Sequence, residues 1–178
     1  MESTATLRDL ILPAWRTNAL ITERVVRALP MSVYDAAIPG LSRRTVRSVA
    51  AHLHTSRCGW VRTLGSPYGV AVPAGVDRQT VSRAELGQAL RQSARAMTAL
   101  LSLGCERGGR VPATARYVWR NLALDVGHVL TYFVAHEAHH RGQLVLIARQ
   151  LGHPLPASVT AGLWQWKPDR PGRRVRRH

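Results

Sequence analysis

Apolar residues recur every three or four positions in four long segments of this 178-residue chain. That spacing gathers them on one face of an α-helix, whereas a strand would alternate them. The segments run from about 6 to 29, 43 to 64, 82 to 104 and 122 to 151. No strand-rich region or internal repeat accompanies them. The pattern predicts an all-α domain, most economically a four-helix bundle with long loop connections.

Residues with known capping preferences mark the ends of these segments. Ser82 and Glu85 have the spacing of a capping box, and Ser42 is a suitable N-cap for the second helix. Gly152 ends the last helix. Pro13 lies inside the first segment, so we expect either a kink or a later helix start.

The stretches outside the helices complete the predicted domain. Residues 30–40, PMSVYDAAIPG, end in a Pro-Gly pair and predict a loop. Trp164 and Trp166 are large aromatic residues of a kind that is unusual in a disordered tail, so we expect them to pack onto the bundle. The domain should therefore comprise 1–166, followed by a disordered basic tail at 167–178.

The charge is strongly positive, with a formal net value of +15. Such a charge is typical of proteins that bind nucleic acids or acidic membranes. However, Lys167 is the only lysine, and six of the 25 cations lie in the last twelve residues, KPDRPGRRVRRH. We interpret this as an arginine-rich composition with a basic tail. Nucleic-acid binding through that tail (Arg173, Arg174, Arg176, Arg177) is a disfavoured alternative.

Other sequence features bound the cellular setting. Cys58 and Cys105 form neither a disulfide framework nor a CxxC metal site, which predicts reduced, partly buried thiols. No window approaches the ~18 uninterrupted apolar residues of a membrane span, and the N-terminus lacks the pattern of a signal peptide. We therefore expect a cytoplasmic protein without a membrane partner.

The sequence HEAHH in the fourth segment carries the main chemical signal. In a helix, His136 and His140 lie about 40° apart and one turn from each other, so both imidazoles can bind one cation. His139 lies about 100° from His140 and could replace one of the pair, but could not easily join both. A metal site usually has at least three protein ligands, so the third must come from another helix.

The second segment offers His52 and His54 as that third ligand. They lie about 200° apart around a helix, so only one can face the bundle. The apolar positions of the segment place His52 nearer the buried side. Since buried histidines without partners are costly, spacing favours one divalent cation bound by three residues: His52, His136 and His140.

The same letters match H-E-x-x-H, the motif in which Glu is the general base of zinc proteases. No glutamate follows His140 to act as a third ligand, and Gln143 and Leu146 occupy the positions where the longer motif needs Gly and His. Glu137 also lies about 100° from His136 in a helix. We therefore disfavour a protease and favour a solvated or supporting role for Glu137 over that of general base.

Together these runs resemble a known family. HEAHHRGQLVLIARQLG is similar to the signature of the DinB/YfiT-like superfamily of metal-binding four-helix bundles, in which a histidine pair is followed by Arg-Gly-Gln. SVAAHLHTSRCGW resembles its second-helix motif, and VTAGLWQW resembles its C-terminal segment. The likeness runs from about Trp15 to Trp166 and leaves out the arginine-rich tail.

The resemblance implies roles for single residues. The family's metal ligands fall on the same three histidines as spacing favoured: His52, His136 and His140. We expect Arg141 and Gln143 to orient ligands or nearby backbone, and Gly142 to let a neighbouring helix approach closely. His54 and His139 are not ligands in the family pattern, and we expect them to be exposed or to support the ligands.

The resemblance also implies chemistry. Characterised relatives include transferases and isomerases that use low-molecular-weight thiols, activated by a divalent metal. An ion with an open coordination position lowers the pKa of bound water to about 7 and can hold a thiol as its thiolate. We therefore predict a metal-dependent S-transferase acting on a thiol and an electrophile, or a hydrolase. Three imidazoles suit zinc or nickel, with iron or manganese as alternatives.

A different class of function stays open beside the enzyme. The same site would serve a protein that holds a metal or ligand without turnover, for example in a stress response. A labile water on the metal that an added thiol displaces would distinguish the two. The family likeness further predicts a homodimer formed through bundle helices.

Overall fold

Four long helices form the body of the protein in a computed structural model, which describes residues 5–113 and 122–166. The helices are α1 (Leu7–Ala28), α3 (Val46–Trp60), α4 (Arg83–Glu106) and α5 (Val126–Gln150). Helix α1 packs along α4 and α5, and α3 packs against the same two helices. The prediction of an all-α bundle is confirmed.

Short elements occupy the connection between α1 and α3. Helix α2 (Met31–Tyr34) is followed by an antiparallel pair of strands, β1 (Ala37–Ile38) and β2 (Leu41–Thr45). Gly40 adopts a φ of 78° in the turn between them, which a residue with a side chain would adopt only under strain. The prediction of a plain loop at 30–40 is therefore wrong.

The start of α3 moves as a consequence of β2. Ser42 lies within the strand and does not cap the helix. Thr45 is the N-cap instead, and it forms a capping box with Ser48. At its other end, α3 continues into a π-helical turn, Val61–Gly65. The helix therefore begins later than the sequence predicts.

The other helix ends agree more closely with the sequence. Ser82 and Glu85 form the predicted capping box at α4. Helix α1 runs without interruption through Pro13, so the alternative of a later start is wrong. Helix α5 begins at Val126, after Asp125 as N-cap, rather than near Leu122.

Two apolar clusters fill the bundle, one toward each end. One surrounds Trp15 and Phe133, and the other surrounds Leu53 and Leu144. Along every long helix, buried polar residues lie between the members of the two clusters. We call this set the polar layer; it consists of Asn18 and Thr22 from α1, Arg57 from α3, Ser93 from α4, and Glu137 and Arg141 from α5.

The C-terminal tryptophans depart from expectation. Trp164 is 83% exposed and Trp166 is 38% exposed, so the prediction that they pack onto the bundle is wrong. The short helix α6 (Ala157–Gly162) instead turns Val159 and Leu163 toward the core. The predicted basic tail, 167–178, lies outside the described residues.

The structure also bears on the two cysteines and on the predicted lack of a membrane span. Cys58 is buried, Cys105 is partly buried, and both are free, as predicted. Within the described ranges, no helix has the length and apolar character needed to cross a bilayer.

Candidate metal centre

Three histidines converge where α3 meets α5. One ring nitrogen from each of His52, His136 and His140 lies within 4.8 Å of the other two. The Nε2 atoms of His52 and His136 are 3.2 Å apart. Two imidazole nitrogens on one tetrahedral zinc ion, each at 2.0–2.1 Å, would be separated by roughly 3.3 Å. The triad could therefore hold a metal ion.

Helix geometry explains this convergence. His136 and His140 are four residues apart on α5, and their ring centroids are 4.6 Å apart. The packing of α3 on α5 brings His52 to both, with centroid distances of 5.2 and 4.9 Å. The i, i+4 pair is thus a local property of one helix, while the third side chain depends on the tertiary fold.

Gln143 fixes the orientation of His140. The amide oxygen of Gln143 lies 2.8 Å from His140 Nδ1, so this nitrogen is the donor. The same amide donates from Nε2 to His139 Nε2 over 3.0 Å. Because Nδ1 carries the proton, the neutral ring leaves the lone pair of Nε2 available for an ion.

His136 is incompletely satisfied by the protein. Among the described residues, its buried Nδ1 has no hydrogen-bond partner, and its Nε2 lies near the imidazole of His52 alone. The ring stacks on Tyr132 with centroids 5.7 Å apart. A buried polar ring with so few partners is unfavourable unless a further ligand binds it.

Electrostatics keep the triad neutral. Burial lowers the pKa of His52 to about 4, with smaller contributions from His140 and His136. Burial is also the main cause of the lowered pKa of His136 and of His140. Metal ions bind the unprotonated imidazole, so these shifts favour coordination over protonation. The donor set fits a divalent ion.

Glu137 lies in a different environment from its neighbour His136. It is fully buried, and Arg57 donates to both of its oxygens, at 2.7 and 2.8 Å. The oxygen Oε2 also accepts hydrogen bonds from Asn18 at 2.9 Å and from Thr22 at 2.7 Å. Glu137 is therefore not solvated. Its carboxylate is engaged with α1 and α3, and its role as a general base stays a prediction.

Arg141 belongs to the same polar layer and not to the triad. Its Nη1 donates to Asn18 at 2.8 Å and to Thr22 at 2.7 Å, and lies 3.8 Å from Glu137. Sequence reasoning missed Arg57, which also donates to the Leu90 carbonyl at 3.0 Å. The available signal was a polar residue at a position where the helical pattern calls for an apolar one.

The two remaining predicted histidines, His54 and His139, lie in different environments. His54 is buried, more so than His52. Its Nε2 lies 2.9 Å from the carbonyl oxygen of Ala74, in the connection that precedes α4. The expectation that His52 is the more buried of the two is therefore wrong. His139 is exposed; its ring lies beside that of His140, with centroids 5.1 Å apart, and its Nε2 accepts a hydrogen bond from Gln143.

Gly142 does not have the packing role that we expected. It is exposed, and no atom of another element lies within 4 Å of the place where a Cβ would stand. No helix approaches it closely in the described structure.

Comparison with protein families identifies the family of this chain. A family model with the description "DinB family" matches residues 1–170. A search of curated proteins found no match.

Proposed function

The chain belongs to the DinB family, and on that premise we propose that its three histidines bind one divalent metal ion for catalysis. Zinc and nickel are the leading ions, with iron and manganese as alternatives. The proposed reaction is transfer of a small thiol to an electrophile, with hydrolysis as the neighbouring reaction. His52, His136 and His140 would hold the ion.

The number of donors carries this proposal. In the described ranges, no fourth His, Cys, Asp or Glu joins the triad. Structural zinc sites are closed by four protein ligands, whereas catalytic sites use three and leave one position open. All three imidazoles are also partly exposed, which gives small molecules access from solvent.

When bound, such an ion supplies Lewis acidity, which lowers the pKa of a thiol or a water molecule that reaches it. The protein's part is orientation. Gln143 holds His140 in the tautomer that presents Nε2. Tyr132 stacks on His136 and limits its rotation.

Binding without turnover is the second candidate, and one observation favours it. The carboxylate of Glu137, the residue next to His136, is paired with Arg57 and is not free to act as an acid or base at the triad. A protein that stores or senses a metal, for example under stress, would need no such group. The homodimer stays a prediction of the family resemblance, and the cytoplasmic location stays a prediction from the sequence.

Metal content tests the proposal. We expect about one zinc or nickel ion per chain by mass spectrometry of tag-free protein, and none in a His52→Ala/His136→Ala variant. The matched control is His153→Ala, which removes an exposed histidine distant in sequence from the triad. No metal in the parent, and no uptake on reconstitution, would refute the proposal.

Turnover is assayed next on the loaded protein. Displacement of a labile water by an added thiol, followed by loss of a model electrophile, would support the transferase. Stable binding of metal and thiol without any turnover would favour the non-catalytic alternative.

A further inference from the structure

The charge around the triad would be mainly positive once a metal ion is bound. Three neutral imidazoles do not neutralise a divalent ion, which therefore keeps its double positive charge. Among the described residues, no carboxylate oxygen joins the three ring nitrogens, and the carboxylate adjacent to the triad in sequence is that of Glu137. That carboxylate is already paired with Arg57. An occupied centre would therefore carry excess positive charge.

Arg78 adds to this charge from the connection between α3 and α4. Its Nε and Nη2 donate to the Ser48 carbonyl at 3.2 and 3.1 Å. Ser48 precedes His52 by four residues and lies one turn away on the same side of α3. Its remaining nitrogen, Nη1, has no hydrogen-bond partner in the described structure.

Hydrogen bonds to the neighbouring residue Gln79 fix the segment that carries Arg78. Arg47 of α3 donates to the Gln79 carbonyl at 2.5 Å and forms an ion pair with Asp35. The Asp77 carboxylate accepts a hydrogen bond from the Gln79 backbone at 2.8 Å. The guanidinium of Arg78 is thus held beside the first turns of α3.

Arg44 contributes a second cation from a different element. It lies in β2, directly before the N-cap of α3, and is exposed. It makes no hydrogen bond or ion pair with any residue that the structure describes. The next residue, Thr45, forms the capping box with Ser48, whose carbonyl accepts from Arg78, so the two cations adjoin the same first turn of α3.

We propose, on the basis of the proposed function, that the centre takes a small anionic substrate whose carboxylate or phosphate oxygens are bound by Arg44 and Arg78. The planar fork of a guanidinium suits such oxyanions. Arg78 offers its unpaired Nη1, and Arg44 offers a whole guanidinium. Both adjoin the first turn of α3, one turn before His52, so a bound anion would stand on the α3 side of the triad.

Two thiols that differ mainly in charge test this inference. The probes are 3-mercaptopropionate and the neutral 3-mercapto-1-propanol, titrated into cobalt-loaded protein and followed by thiolate-to-cobalt absorption. We expect the anionic thiol to bind about tenfold more tightly, as two partly exposed ion pairs would give. In an Arg44→Gln/Arg78→Gln variant the two affinities should become equal, with metal content and binding of the neutral thiol unchanged.

Further variants separate charge from structure. Arg16→Gln/Arg95→Gln removes two exposed cations from the groove between α1 and α4 and should keep the tenfold preference. Because Arg78 also holds its loop, Arg44→Gln alone is the second test. It should reduce the preference by about threefold.

The outcomes distinguish the two proposals. Metal uptake with equal affinity for both thiols, or a preference that survives the loss of both arginines, would overturn this inference alone. A protein that takes up no metal, or a loaded site that binds neither thiol, would overturn it together with the proposed function.

Discussion

Two polar clusters lie on different sides of helix α5, and adjacent residues belong to them. Glu137 lies in the polar layer, fully buried, with every oxygen hydrogen-bonded. His136 lies in the triad, half-buried, and its Nδ1 has no hydrogen-bond partner in the part of the chain that the structure describes. Both clusters place polar groups inside a bundle, but only the polar layer satisfies them with protein atoms.

This difference separates polar groups that stabilise the fold from polar groups that are available to a ligand. A buried charge without a partner is strongly unfavourable, and the layer avoids that state by linking all four long helices. The triad leaves its donors to an external ligand. Perturbing the layer should therefore affect folding first, and perturbing the triad should affect binding first.

The largest expected effect is on the polar layer. Glu137→Gln removes the charge that pairs with Arg57 and should lower the free energy of unfolding by about 3–5 kcal/mol. Urea denaturation of metal-free protein measures it. Glu106→Gln is the control, because its exposed ion pair with Arg8 should contribute at most about 1 kcal/mol.

His52→Ala in the same assay sharpens the comparison. It removes a half-buried ring without leaving a buried charge, so its effect on metal-free protein should be clearly smaller than that of Glu137→Gln. If both variants lost the same free energy of unfolding, the triad would contribute as much to stability as the polar layer does.

An intermediate effect, on metal affinity, is expected from substitution of Gln143. Gln143→Leu removes the acceptor that orients His140, and loss of such a partner typically weakens metal binding by about 10–100-fold. Competition with a chelator of known affinity measures the change. His139→Ala removes the outer end of the same chain of hydrogen bonds and should weaken binding less. Unchanged affinity in Gln143→Leu would show that the tautomer of His140 needs no support.

The smallest effect is the response of metal-free protein to pH. The pKa of His52 is lowered from 6.5 to about 4, so between these values the unfolded chain takes up a proton that the folded protein does not. Stability should therefore fall as the pH falls through this window. Urea unfolding at about pH 7 and about pH 5 should show a smaller loss in His52→Gln than in the parent. The same slope in both would contradict the assignment.

Much of the architecture was readable from the sequence because it depends on local periodicity. Apolar spacing indicated four long helices, and the pair Ser82 and Glu85 marked the start of α4. The small strands were missed because β1 and β2 are short and pair only with each other. Their formation moved the start of α3 from Ser42 to Thr45.

Within the site, local and tertiary contributions separate in the same way. The sequence by itself determined that His136 and His140 share a face, since four residues make about one helical turn. Only the tertiary structure brought His52 to them, buried His54 beneath a connection, and left Trp164 exposed. Those outcomes depend on which helix faces meet, and a helical period of one segment carries no information about the rotation of its neighbours.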